Sequence, residues 1–338
     1  MNSLSSNVCS NPSKRDTGID ILRWLALTGI ILVHTKPGVF WSQLRSFDVP
    51  MMVMLSAICF GMSGGGINYA EYIKKRFVRL IVPTWIFLTG YFFVEYILTS
   101  DISFKKLIMC YTLTTKWYFW IVRILFGMAI IAPLLKIVSE RISYKHVLIF
   151  SILLFIITEL LSTLSSTYLY KVIIMFIPYI AFYLIGMIIK DFPETNILKC
   201  GILFLLIYLA IAIYLYCQTG GYVLTGKFKY PPRIYYDCYA LGSSALLWVF
   251  RRKIVLFLQK SYLYNLAKFV GSHTFWIYLW HIPIVDYMVN KYNSLWCFVV
   301  VYLSAIMITY IQSLLVEKCS ERIDNPVIRK NIRNVFIG

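Results

Sequence analysis

Residues 19–34 of the chain read Ile-Asp-Ile-Leu-Arg-Trp-Leu-Ala-Leu-Thr-Gly-Ile-Ile-Leu-Val-His, and residues 24–33 within this stretch carry no charge. Apolar stretches that approach or exceed the roughly 20 residues a helix needs to cross a bilayer recur along the whole chain. Of the 338 residues, 59% are hydrophobic and 14% are charged. A soluble domain could not bury that much apolar surface. The sequence therefore predicts an all-α membrane protein.

Hydropathy divides the chain into about ten predicted transmembrane helices. They are placed at residues 19–35, 46–62, 80–99, 117–136, 146–163, 171–189, 200–217, 234–250, 269–289 and 295–316. A polar cytoplasmic N-terminus (1–18) precedes this transmembrane domain (19–317), and a basic cytoplasmic tail (318–338) follows it. No soluble catalytic domain is predicted, so any chemistry must take place in the helices or their loops.

The distribution of lysine and arginine predicts that both termini are cytoplasmic. With that orientation, the cytoplasmic connections hold about twice as many of these residues as the opposite side. The net charge of +18 follows mostly from this bias and from contact with anionic lipid headgroups. Without a basic soluble domain, a nucleic-acid partner is not expected. The cysteines and histidines show no CxxC or HExxH spacing, so no metal site is predicted.

Charged and titratable residues inside the predicted spans are the candidate site residues. They are Asp20, Arg23, His34, Glu95, Arg123, Glu159, Asp237, His281 and Asp286. Each is costly in hydrocarbon unless it faces the protein interior or water. Arg23 and His34 share one helical face, about 20° apart in azimuth and about 16 Å apart along the axis, and Asp20 lies one turn before Arg23. The alternative is that all three simply anchor the helix at the two membrane interfaces.

Five short segments occur in the same order as those of a known enzyme family. They are Ile19-Asp20-Ile21-Leu22-Arg23 with His34 eleven residues on, Val49-Pro50-Met51-Met52-Val53-Met54-Leu55-Ser56, Lys75-Arg76-Phe77-Val78-Arg79-Leu80-Ile81-Val82-Pro83, Trp117-Tyr118-Phe119, and Ile277-Tyr278-Leu279-Trp280-His281-Ile282-Pro283. Together they resemble the membrane acyltransferase-3 family over nearly the whole chain. The second segment departs from the family, which usually has Phe-Phe and Ser-Gly in place of Met51-Met52 and Ser56-Ala57.

The resemblance implies an O-acyltransferase of the inner (plasma) membrane. Its donor would be cytoplasmic acyl-CoA such as acetyl-CoA, a co-substrate rather than a permanently bound cofactor. Its acceptor would be a hydroxyl of a carbohydrate, often in a lipid-linked or surface polysaccharide such as an O-antigen. A desolvated, neutral His34 suits a general base for such a hydroxyl. Arg23 would hold the donor or orient the site through Asp20, and a covalent acyl-His intermediate remains an alternative.

A basic cluster at the start of the third predicted span is the candidate donor site. Lys75, Arg76 and Arg79 lie on the predicted cytoplasmic side, and the two arginines are about one turn apart on one face. This geometry suits the phosphates of CoA. The alternative is a positive-inside anchor. Arg123 is assigned to the same donor site, with an ion pair to Glu95 or Glu159 as the alternative.

Aromatic and basic residues on the opposite side are the candidate acceptor site. Trp117, Arg233, Tyr235 and Tyr236 are of the types that grip sugars, although interfacial aromatic residues and an extended turn would give the same pattern. His281 is either catalytic or a hydrogen-bonded core residue.

Two other functions fit a polytopic chain with buried ionisable residues. A glycolipid or polysaccharide transporter or flippase would use these residues as a proton relay or pathway. No inverted repeat supports that interpretation. A non-catalytic subunit of an assembly complex would leave the shared face of Arg23 and His34 unexplained.

Overall fold

The computed structural model describes residues 16–62, 68–115, 117–164 and 167–337. Lys14, Arg15 and Lys116, which contribute to the predicted charge bias, lie outside these ranges, as does most of the predicted N-terminal segment. The described chain is helical, with no β-strand among its elements, so the predicted all-α membrane fold is confirmed. Its helices are α1 (Thr17–His34), α2 (Val39–Leu44), α3 (Asp48–Met62), α4 (Tyr69–Thr99), α5 (Phe104–Tyr111), α6 (Trp120–Arg141), α7 (Tyr144–Leu161), α8 (Tyr168–Ile174), α9 (Phe176–Ile188), α10 (Glu194–Thr219), α11 (Ile234–Leu258), α12 (Leu263–Ser272), α13 (Thr274–Met288), α14 (Ser294–Glu321) and α15 (Pro326–Phe336).

Helix α1 is the centre of the bundle. It packs against α3, α11, α12, α13 and α14, while α9 joins α3 to α6 and α7. The helix begins at Asp16, whose carboxylate accepts a hydrogen bond from the backbone N–H of Gly18 (2.8 Å). Most of its residues are buried. Arg23 and His34 are themselves partly buried on this packed helix.

The peripheral helices present apolar side chains outward. Large hydrophobic side chains are exposed along α4, α7, α10 and α14, and α10 is almost wholly exposed. Side chains of this kind are stable where lipid covers them. Eight segments of the described chain are long and apolar enough to cross a membrane; two of them combine α2 with α3 and α8 with α9.

The helices differ from the predicted spans at several places, and one of these is the predicted span 171–189, which is divided at Met175 into α8 and α9. Helix α4 begins at Tyr69, so the basic cluster lies on a continuous extension of the predicted third span. The predicted span 269–289 is divided at His273 into α12 and α13. Residues 326–336, within the predicted tail, form α15, which is held by hydrogen bonds from Trp276 to the carbonyl of Val335 (2.9 Å) and from Gln312 to that of Phe336 (2.6 Å).

A close backbone approach joins α12 to the beginning of α1. Gly271 lies so near Asp20 that a β-carbon added to it would be 2.0 Å from the Asp20 carbonyl oxygen. Glycine is required at this position because the obstructing atoms belong to the backbone and cannot rotate away. The approach fixes the position of the α1 end that carries Asp20 and Arg23.

We expect Gly271→Ala to lower the free energy of unfolding by about 1–3 kcal/mol, since the added methyl group forces α12 away from α1. Thermal unfolding in detergent measures the change. Gly90→Ala is the matched control, because no atom lies within 4 Å of its added β-carbon. Equal melting temperatures for the two variants would contradict this account of the α1–α12 contact.

Candidate active site

Two histidines from distant parts of the chain, the fully buried His281 and the partly buried His34, form the centre of the candidate site. His34 ends α1, and its Nδ1 atom lies 2.8 Å from Nε2 of His281 in α13. The two rings stack with centroids 5.0 Å apart and planes 12° apart. Nδ1 of His281 in turn contacts the carbonyl oxygen of Tyr278, one turn earlier in the same helix. The structure thus brings together the two histidines that the sequence predicted separately.

This chain of hydrogen bonds assigns the tautomers of both neutral rings. A carbonyl oxygen can only accept, so Nδ1 of His281 carries a proton and donates it to Tyr278. In the neutral ring, Nε2 of His281 is then an acceptor, and Nδ1 of His34 must donate to it. Nε2 of His34 is consequently unprotonated. Its lone pair is available to take a proton from a substrate hydroxyl.

Two tyrosines and a carboxylate support the ring of His34. Tyr118 meets it edge-on, with centroids 4.6 Å apart. The Tyr118 hydroxyl donates to Oδ1 of Asp286 (2.8 Å), and the Tyr91 hydroxyl donates to Oδ2 of the same carboxylate (3.2 Å). Asp286 lies on α13 with His281, so these contacts tie α4 and the start of α6 to the histidine pair.

A buried ionic cluster that the sequence interpretation missed lies close by. Asp48 is fully buried at the start of α3 and binds Arg45 Nη1 through Oδ2 (2.7 Å) and Lys229 Nζ through Oδ1 (3.6 Å). Both cations are near enough to interact electrostatically with His34. Asp48 falls inside the predicted span 46–62, and its charge was the available signal. Lys229 is in a loop and offered no such signal.

A cavity of about 150 Å³ lies at the other end of the α1 face. Arg23, Leu27 and Ile30 line it from α1, in helical register with His34. Arg76 lines it from α4, and Tyr278 lines it on the side towards the histidine pair. Arg23 also lies 3.4 Å from Asp20 and donates to Cys59 Sγ (3.1 Å). The cavity thus connects a pair of arginines to the helical face that ends at His34.

The other residues predicted to bind the donor have separate environments. Lys75 is exposed and pairs with Glu71 (2.6 Å). Arg79 donates to the side chain of Asn334 in α15 (3.0 Å). Arg123 lies nearer the His34 end of the bundle and donates to the carbonyl of Leu113 (2.8 Å). Of the four cations assigned to the donor from sequence, Arg76 alone lines the cavity with Arg23.

The two carboxylates named as alternative ion-pair partners of Arg123 bind other residues. Glu95 accepts from Lys106 (2.7 Å), and Glu159 accepts from the guanidinium of Arg233 and from the backbone N–H of Ile234 (3.0 Å). Arg233 is thereby neutralised and held against α7.

The residues predicted to bind the acceptor do not form one site. Tyr235 donates to the carbonyl of Val223 (2.9 Å) and stacks on Tyr208. Tyr236 is fully buried, and its hydroxyl has no hydrogen-bond partner among the described residues. Trp117 lies against Tyr91, with the ammonium of Lys106 5.0 Å from its ring. Within the described ranges, no three His, Cys, Asp or Glu side chains are grouped as metal ligands would be.

The described chain is a helical membrane bundle whose interior holds a histidine pair at one end of the α1 face and two arginines at the other. Residues 16–317 match the sequence model of the acyltransferase-3 family, which is described as an acyltransferase domain. The chain belongs to this family and is a membrane acyltransferase. No curated protein and no solved structure matches it.

The buried Lys229 gives this site a testable pH dependence. Burial lowers the pKa of the Lys229 ammonium from 10.5 to about 8, although Asp48 opposes the shift. Between these two values the unfolded chain binds a proton that the folded chain has released, so the contribution of Lys229 to stability becomes more favourable as pH rises from 8 towards 10.5.

We expect the melting temperature of wild type relative to Lys229→Met to rise over that pH interval. Comparing the two proteins cancels the titration of other groups. Lys227→Met removes an exposed lysine from the same loop and should give a constant difference from wild type. A difference for Lys229→Met that does not change with pH would show that Lys229 titrates normally.

Proposed function

We propose that this acyltransferase moves an acetyl or similar acyl group from acyl-CoA to a hydroxyl of a sugar in a lipid-linked or surface polysaccharide. The observation that carries the proposal is the contact from His34 through His281 to the Tyr278 carbonyl, which leaves Nε2 of His34 as a base. A sugar hydroxyl is a weak nucleophile at neutral pH and needs such a base to attack a thioester.

In the proposed step, one proton passes from the sugar hydroxyl to His34 and then from His34 to the leaving group. As the hydroxyl oxygen attacks the thioester carbonyl carbon, its proton passes to Nε2 of His34. His281 accepts from the other nitrogen and stabilises the imidazolium that forms. When the tetrahedral intermediate collapses, the C–S bond breaks and the proton passes from His34 to the departing sulfur of CoA. The products are the O-acylated sugar and free CoA, and His34 is again neutral.

The cavity beside Arg23 and Arg76 is the proposed path of the donor. Phosphate groups of CoA would bind the two guanidinium groups, which have no other ion pair than the Arg23–Asp20 contact among the described residues. The acyl arm would then follow Leu27 and Ile30 along α1 towards His34, a distance of about 16 Å from Arg23. The charge bias of the loops supports placing the arginines on the cytoplasmic side of the inner membrane, where acyl-CoA is present.

Loss of the His34 base should strongly lower the rate of acyl transfer. We expect His34→Ala to lower the rate of acetyl transfer from labelled acetyl-CoA to glycan by on the order of 10²- to 10⁴-fold, measured on purified protein. His281→Ala should lower it less, on the order of 10- to 10²-fold, because it removes the orienting partner and leaves the base.

The control for these histidine variants is His146→Ala, since His146 is exposed and contacts Ser143 on α7. Its turnover should equal that of wild type. Near-normal transfer by His34→Ala would refute the assignment of the base. Absence of any transfer by wild type, with glycolipid crossing proteoliposome membranes instead, would favour the transporter.

Arg76 and Arg79, which the sequence assigned to one donor site, should differ in their effect on the KM for acyl-CoA. We expect Arg76→Ala to raise the KM for acyl-CoA by about tenfold or more, since a charge-assisted contact in the cavity is lost. Arg79→Ala should leave KM within about twofold and reduce thermal stability slightly, because its partner is Asn334. Steady-state kinetics with varied acyl-CoA distinguishes the two, and equal effects on KM would contradict the proposed donor path.

A further inference from the structure

A second cavity, of about 460 Å³, opens at the His34 end of the bundle. We call it the cationic pocket; it is lined by Trp120, Arg123, Tyr168, Lys171, Val172, Met175 and Tyr230. The residues come from α6, from α8 and its connection to α9, and from the loop before α11. The donor path described above does not use it.

The pocket holds two positive charges, and the described residues that line it supply no counter-charge. None of its lining residues is acidic. Arg123 uses Nη1 to donate to the Leu113 carbonyl, while its Nε is buried without a hydrogen-bond partner among the described residues. Lys171 is half-buried, and its ammonium makes no hydrogen bond or ion pair within the same ranges. Such an arrangement is costly unless an anion completes it.

Two carboxylates at this end of the bundle do not line the pocket and already bind other cations. Glu159 is held by Arg233, and Asp48 is held by Arg45 and Lys229. Neither of these two carboxylates is therefore free to balance the charge of the pocket.

Two aromatic side chains that line the pocket also contact the ammonium of Lys229. Trp120 and Tyr230 meet edge-to-face with centroids 5.1 Å apart. The Lys229 ammonium lies behind them, 5.2 Å from the Trp120 ring, and interacts electrostatically with His34. Rings of this kind form flat walls for a sugar, and a few convergent charges fix its orientation. A glycan bound in the pocket would extend past Lys229 towards the base.

We propose that the cationic pocket is a subsite for an anionic group of the acceptor, a carboxylate or phosphate held between Arg123 and Lys171. The acceptor is then an acidic glycan or one linked through phosphate, an inference that rests on the acyl-transfer function proposed above. Arg123 supplies a directional pair of donors, and Lys171 supplies a mobile point charge. Neither residue touches the reacting atoms, so both act by positioning.

Equilibrium dialysis tests this subsite without acyl donor. The protein in nanodiscs of neutral lipid is dialysed at low salt against labelled glucuronate, glucose 1-phosphate or glucose. We expect at least one anionic probe to bind about tenfold more tightly than glucose, and high salt to remove the difference. Arg123→Gln and Lys171→Met should each reduce the preference. Lys227→Met, which removes an exposed charge at the same end of the protein, should not.

The outcomes separate the two sources of negative charge. Preference for glucuronate identifies a carboxylated sugar, and preference for glucose 1-phosphate identifies a phosphate linkage; either result supports the subsite. Equal binding of all three probes, or an anion preference that survives in both Arg123→Gln and Lys171→Met, overturns it. His34→Ala should retain the preference. If wild type binds the anion but transfers no acyl group, the proposed function fails while the subsite stands.

Discussion

The hydrogen bond between His34 and His281 joins the end of α1 to the middle of α13 inside an apolar bundle. His281 is fully buried and His34 is partly buried, so burial favours a hydrogen-bond partner within the protein for each ring. His281 meets this need through the Tyr278 carbonyl, and His34 meets it through His281. The contact between the two rings therefore fixes the position of the end of α1 relative to α13. At the other end of α1, the close approach of Gly271 to Asp20 fixes the helix against α12.

Cationic side chains of the protein lie in two groups, one towards each end of α1. Arg23 and Arg76 lie at one end of α1, while Arg123, Lys171 and Lys229 lie towards the other. A neutral imidazole between them avoids repulsion from either group and keeps its lone pair for a substrate proton. Two separate cationic ends also allow two different anionic molecules to approach one base from opposite directions. That arrangement suits a reaction between a charged donor and a charged acceptor.

Hydropathy was sufficient to predict the helical membrane fold, since lipid leaves a chain few other ways to satisfy its backbone. Helical periodicity also predicted that Arg23 and His34 share a face, because that relation is local. The contact between His34 and His281 spans 247 positions and could not be predicted from spacing. Asp48 carried a visible signal, a carboxylate within an apolar span, whereas Lys229 became buried through the path of a loop that no periodicity describes.

The cationic side chains of this protein differ mainly in whether another side chain already binds them. Arg233 and Lys171 both belong to segments at the His34 end, yet Arg233 is neutralised by Glu159 while Lys171 faces a pocket without an acidic wall. Likewise, Arg79 is engaged with Asn334 and Arg76 lines a cavity. Arg76 and Arg79 share residue type and lie three positions apart, so neither property can separate a structural cation from a binding one. The free energy of a charged group depends on its partners, and only the tertiary structure supplies those partners.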